Sequence, residues 1–395
     1  MKNLHWPNHW KPVEDERQDT WNKAKAFPFP SRKHDDWRWV NFGDLDLESL
    51  NVEPIQTNIT ASNVVKIINA HQSNVADVEI LEQLEATREI KNEDSFTAIN
   101  QALADEVIII QVPENKRLDE TIHIRHHFSG ANSAAFTRCL IKVDKGAEAK
   151  VIVKFSSDED LSQQAFFSYR MDVWVEQGAR LELIETQEFG KQVNFISHEH
   201  AQCAQNAHLN WNYIALGSKN SKSFITVDLN GSGAETLMNG VYFSGTGQLI
   251  NLDTQQNHNA PNAHSDLLYK GAVIGEGMAV WEGMIYVDYE AQKTDSYQSN
   301  CNLILDDRAE IKTIPGLEIN ANDVSCSHGA TVGRLNDDEL FYSQSRGIPM
   351  REAEKLIVEG FFAEVLSKSG DEALVESFLL RISDKFKTNR VDDTA

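Results

Sequence analysis

Cys326 and His328 stand two residues apart in the run Asn322-Asp323-Val324-Ser325-Cys326-Ser327-His328-Gly329-Ala330-Thr331-Val332-Gly333. In an extended strand side chains alternate faces, so the thiol and the imidazole point the same way while Ser327 points opposite. A soft thiolate beside an imidazole suits iron or zinc. Two donors do not complete a metal site, so the pair is expected to be half of a shared one. A plainer role competes with this. Free cysteine commonly packs as a small hydrophobe, and Val324, Ala330 and Val332 share the Cys326 face. If the pair is functional, a positive or metal-bound neighbour is expected to lower the thiol pKa toward the thiolate that binds metal.

Other candidates are weaker. His198, His200 and His208 have even positions and Cys203 an odd one, so a single strand cannot present all four to one ion. Cys139, Cys203 and Cys301 are expected to be packed core thiols, and His258 and His264 to stabilise a loop around Pro261. The four cysteines are scattered, with no CxxC, which is neither a disulfide framework nor a complete zinc motif.

The elements that must position Cys326 and His328 divide into three regions. Residues 1–105 read as a mixed, mostly helical region; 106–333 as a strand-only core; 334–395 as a helical region. Five tryptophans (Trp6, Trp10, Trp21, Trp37, Trp39) crowd the start, the pattern of an arm stapled onto a larger body. From Ser62 to Leu84 the mixed three- and four-residue apolar spacing predicts surface helices. In the core, period-2 alternation recurs: Ala147, Ala149, Val151, Val153 and Phe155 oppose Glu148, Lys150 and Lys154. The turn Val143-Asp144-Lys145-Gly146-Ala147-Glu148 returns as Val175-Glu176-Gln177-Gly178-Ala179-Arg180, with echoes at 230–235 and 306–310. Repeating turn-plus-strand units predict a β-helix, in which each coil buries its face against the next. A sandwich shares the alternation. After Gly333, three helices follow, near 337–346, 349–369 and 371–386, whose apolar stripes fit either a cap over the solenoid end or a partner-docking face.

The chain has 395 residues, with 37 Lys+Arg against 60 Asp+Glu and a formal charge of −23. Such a surface repels nucleic acid and anionic membrane. The start shows no signal-peptide-like apolar stretch and no run approaches a membrane span, so a cytoplasmic location is expected.

Longer motifs resemble one family. Cys326-Ser327-His328-Gly329-Ala330-Thr331-Val332-Gly333-Arg334-Leu335, Leu340-Phe341-Tyr342 and Ser345-Arg346-Gly347-Ile348 are similar to the SufB/SufD family of the SUF iron–sulfur assembly system, and specifically to its SufD branch. Upstream, Pro261-Asn262-Ala263-His264-Ser265-Asp266, Tyr269-Lys270-Gly271, Ala291-Gln292-Lys293-Thr294-Asp295 and Ile314-Pro315-Gly316-Leu317-Glu318-Ile319 keep the family's order, and Trp37-Arg38 resembles its N-terminal element. The resemblance implies a right-handed parallel β-helix flanked by helical N- and C-terminal regions. It also implies a non-enzymatic scaffold that pairs with a SufB-like paralogue through the β-helix and binds a SufC-like ABC ATPase through its C-terminal helices. Cys326 and His328 are the implied ligands of an iron–sulfur cluster that is transient, shared with SufB and not expected on the isolated chain. The SufB branch has a Glu directly after its histidine, whereas Gly329 stands here. No Walker A glycine loop is present, so ATP hydrolysis falls to the partner.

Two rival readings have distinct signatures. A β-helix carbohydrate lyase or hydrolase needs acids at catalytic spacing or bound calcium, and the acids here are dispersed. A homodimer acting without SufB would pair self-complementary β-helix edges.

Overall fold

The structure, a computed structural model, describes residues 6–7, 9–11, 18–40, 45–60, 64–69, 94–129, 132–158, 161 and 163–389. Helix α1 (Gln18–Ala26) ends where Phe27-Pro28-Phe29-Pro30 withdraws backbone donors. Trp6, Trp10, Trp21 and Trp37 are buried with Phe96 against Phe136, Phe166 and Ile196, so the arm is stapled to the flank of the core as expected. Three short strands follow: β1 (Asn51–Val52), β2 (Gln56–Thr60) and β3 (Val65–Asn69). β3 corrects the helical reading of Ser62 to Leu84 at 65–69; adjacent β-branched residues there favour extended backbone. Residues 62–63 and 70–84 of that span lie outside the described residues. Helix α2 (Ser95–Leu103) starts at a capping box, with Asp94 accepting from the Phe96 and Thr97 amides while Thr97 Oγ1 accepts from the Asp94 amide.

From Glu106 the chain winds as a parallel β-solenoid of about eight turns. One sheet stacks β4 (Glu106–Val112), β6 (Ser133–Val143), β8 (Ala165–Val175), β10 (Val193–Cys203), β12 (Asn220–Leu229), β14 (Leu249–His258), β16 (Met278–Val287) and β18 (Glu310–Ile319). The other stacks β5 (Ile122–Phe128), β7 (Glu148–Ser157), β9 (Arg180–Glu188), β11 (His208–Ala215), β13 (Glu235–Ser244), β15 (His264–Val273), β17 (Asp295–Ile304) and β19 (Ser325–Arg334). Asn194 pairs with Asn220 and Met278 with Glu310, so a coil takes between 26 and 32 residues. At the first end β2 and β3 join the two sheets antiparallel, against β5 and β4.

One corner repeats a left-handed residue: Gly146, Gly178, Asn206, Gly233, Asn262 and Lys293 all have φ between 54° and 73°. Stacked amides link them, Gly146 N to Gln177 O and Gly178 N to Gln205 O. Glycine and asparagine tolerate this conformation, which explains the recurring turn in the sequence. The echo at 306–310 belongs to the opposite corner, between β17 and β18.

Helix α3 (Asp337–Ser345) is capped by Asn336, and α4 (Met350–Ser367) and α5 (Glu372–Asn389) follow. Val358, Phe362, Val365, Phe378, Ile382 and Phe386 bury against Ile214, Val241, Phe243 and Ala272 on the outside of the second sheet. The helices therefore cover a flank of the solenoid. Among the described residues they leave its last coil uncovered.

Candidate functional site

The site is built on the last coil. β18 pairs only with β16, and β19 only with β17, so each has a free backbone edge among the described residues. Register sets Cys326 over Ser296 and His328 over Gln298. Ser296 and Gln298 are buried in the lumen, so the thiol and imidazole face the same hollow, one coil further out. Being terminal, they are not sealed: Cys326 is half-buried and His328 exposed. Leu317 at 36%, Ile319 at 39% and Val332 at 45% exposure give the open end an apolar rim. Exposed apolar groups beside unpaired strand edges mark a docking surface.

The two readings of Cys326 both have some truth. It packs against the cluster of Ile285, Val287, Ala291 and Ala321 together with Val324, yet keeps part of its surface open. Its thiol pKa is raised, by burial first and then by the Asp295 carboxylate, with the Ser296 amide acting the other way. Within this chain the charge acting on the thiol is negative, so lowering its pKa would take the positive or metal-bound neighbour that the sequence reading supposes. A Cβ at Gly329 would stand 3.2 Å from the Tyr297 hydroxyl, so a larger residue there would displace it.

The remaining candidates separate. His198 and His200 lie on β10 and His208 on β11, in the other sheet; they pair with Asp94 at 3.3 Å, Asp228 at 2.9 Å and Glu235 at 2.8 Å. Cys139 and Cys203 are fully buried, as expected for core thiols. Cys301 is only half-buried, its Sγ 3.8 Å from Ser299 Oγ, because odd positions of β17 face outward. His264 pairs with Asp295 at 3.4 Å. His258 is a lumen residue on β14 and not part of a loop. Among the described residues no group of three or more His, Cys, Asp or Glu gathers to hold a metal. No described helix is long and apolar enough to cross a membrane.

Sequence reasoning missed the rim and the latch beside it. Arg38 Nη2 donates to Glu282 Oε1 at 2.8 Å and Trp39 Nε1 to the same oxygen at 3.1 Å, while Lys312 of β18 lies 4.9 Å from the Trp39 ring. The N-terminal arm thereby braces the edge strand. One available signal was Pro315, since proline inside a strand pattern belongs on an edge.

Comparison with known proteins places this geometry in context. Residues 126–361 match the family model described as SUF system FeS cluster assembly, SufBD core domain. The chain is 28% identical over 378 residues to the Iron-sulfur cluster assembly protein SufD of Escherichia coli (strain K12), covering 90% of this chain and 89% of that protein. It is 27% identical over 282 residues to an Iron-sulfur cluster assembly SufBD family protein of Mycobacterium bovis, covering 69% and 68%. A Mycobacterium leprae protein of the same description matches at 27% over 295 residues, covering 73% and 74%.

Proposed function

The chain belongs to the SufB/SufD family as a SufD-type member, with a role in iron–sulfur cluster assembly, and from that premise we propose that it is a non-enzymatic scaffold subunit. The end formed by β18 and β19 seats a SufB-like paralogue, whose own edge strands continue both sheets. Cys326 and His328 then become two of the donors around a nascent iron–sulfur cluster, the cargo of the complex. A thiolate and an imidazole are suitable iron ligands, and the rest of the coordination shell comes from the partner. The observation that carries this reading is that both donors stand at the last coil, where the lumen opens among the described residues, beside two strand edges that no described strand pairs.

A SufC-like ATPase takes the outer side of the C-terminal helices. Phe341 is 74% and Leu380 64% exposed there, apolar area that the solenoid leaves unused. Four free cysteines fit a reducing cytoplasm. In isolation the same edges can pair two copies of the chain.

Co-expression with SufB- and SufC-like partners tests the proposal. A complex should co-purify anaerobically with iron and sulfide, and Cys326→Ala or His328→Ala should lower both while the complex persists. A chain that ignores both partners, or a complex whose iron is indifferent to both substitutions, would refute it.

A further inference from the structure

Behind Cys326 the lumen carries a column of hydroxyls. Strand pairing puts Thr236, Ser265, Ser296 and Cys326 in register on β13, β15, β17 and β19, at one lumen position of successive coils. Ser265 comes from Pro261-Asn262-Ala263-His264-Ser265-Asp266, a motif that the docking end does not use. Its side chain is fully buried, as are those of Gln256 and His258. Gln256 Nε2 donates to Ser265 Oγ at 2.7 Å, His258 Nε2 lies 2.8 Å from the same oxygen, and Ser296 Oγ lies 2.7 Å from it.

Counting hydrogens gives the column a direction. His258 Nδ1 is buried with no partner. A buried N–H without an acceptor is costlier than a bare lone pair, so the ring hydrogen belongs on Nε2 and is donated to Ser265. Two donors then occupy both lone pairs of Ser265 Oγ. Its single hydrogen has Ser296 Oγ as its remaining partner. Ser296 therefore accepts from within the lumen, and its own hydrogen is free to point outward. The next group in that column is Cys326, directly over Ser296 in the strand register.

We propose that Gln256, His258, Ser265 and Ser296 are positioning residues, a hydrogen-bond column polarised outward that donates to the sulfur of Cys326 when it ligates the cluster. The inference rests on the reading of Cys326 as a ligand. A metal-bound sulfur can only accept, and a fixed donor behind it orients the side chain and leaves its outward lone pairs for iron. A column running the other way would present an oxygen lone pair to a negatively charged sulfur.

The test uses the full chain alone. With 15N-labelled histidine, the His258 signal, assigned by its loss in His258→Gln, is expected to show the Nε2–H tautomer. An Nδ1–H tautomer reverses the column and overturns the proposal. Alkylation of Cys326 by iodoacetamide, followed by the mass of its peptide, is expected to slow on the order of tenfold in Ser296→Ala, the worth of one hydrogen bond to a charged acceptor. Ser296→Thr, which keeps the hydroxyl, should restore the rate; equal rates in all three proteins would overturn it. Should Ser296→Ala fail to fold, Ser265→Ala releases the polarity of Ser296 and is judged by the same rates. Neither readout needs a partner or a cluster, so failure here leaves the assembly role standing, and failure of co-purification leaves the column standing.

Discussion

The two ends of the lumen are filled by different chemistry on the same backbone. Towards the N-terminal end Phe155, Phe167, Phe189 and Phe195 pack ring on ring, with Phe155 and Phe195 centroids 5.3 Å apart and Phe167 and Phe195 5.9 Å apart. Towards the C-terminal end polar groups interrupt an apolar filling of Leu267, Tyr269, Val273 and Trp281: Asn300 Nδ2 donates to the Tyr242 hydroxyl at 3.0 Å, which in turn donates to Asn302 at 2.5 Å. Tyr242 reaches two coils along because glycine leaves room, a Cβ at Gly271 falling 2.2 Å from its ring. The difference has a physical reason. Coils far from the opening can be held by shape and burial alone. A coil that ends in an opening would expose a greasy cross-section unless directional polar contacts replaced part of it. The ring-packed end relies on burial, and the polar contacts admitted near the other end are directional ones beside the mouth that holds Cys326 and His328.

Between the ends lies a less comfortable pair. Glu185 and Glu199 are buried in the lumen, with Trp211 Nε1 donating to Glu185 Oε1 at 2.6 Å. Burial, and for Glu185 the charge of its neighbour, raises both carboxyls, Glu199 to about 7. Two acids this close cannot both ionise at low cost.

Substitutions can break or sharpen the contrast, beginning with the largest effect. Phe167→Ala should cost about 3–5 kcal/mol in urea unfolding, because the stacked rings leave a cavity that cannot collapse; a loss below about 1 kcal/mol would deny the ring-packed end its role. Gly271→Ala should cost about 1–3 kcal/mol by driving a methyl into the Tyr242 ring, and a neutral result would mean that Tyr242 has another place to lie.

The acid pair makes a smaller, pH-dependent prediction. Below the ordinary glutamate range both folded and unfolded chains keep their protons, so the raised pKa is without effect. As pH climbs to about 7 the unfolded chain releases protons that the folded one retains, and stability falls. Glu199→Gln should therefore match the parent near pH 4.5 and exceed it at pH 8 by on the order of 2 kcal/mol. A gap that does not widen with pH would contradict the raised carboxyl. The smallest effect belongs to the mouth. His328→Ala at its exposed position should shift stability by no more than about 0.5 kcal/mol, and Cys326→Ala, half-buried, by no more than about 1 kcal/mol; a calorimetric drop of several degrees in either would mark it as structural.

Much of this was legible in the chain. The alternation of Ala147 to Phe155 and the returning Gly146 and Gly178 turns identify stacked coils, since each reports a local rule: side-chain parity in a strand and a left-handed corner. The β3 strand was not legible, because a few adjacent apolar residues fit a buried helix as well as a buried strand. Nor was the place of the C-terminal helices. Their apolar stripes show that they must be buried, and only packing shows that the flank, not the end, does it.

By itself the sequence determined the coil, the family and the pairing of Cys326 with His328 on one face, all properties of neighbours along the chain. Which face points into the lumen, which coil is last, and that Ser296, Ser265 and His258 line up behind the thiol were decided by tertiary stacking. Register joins residues roughly thirty apart, and because a coil takes anything from 26 to 32 residues the recurring turns do not by themselves fix it.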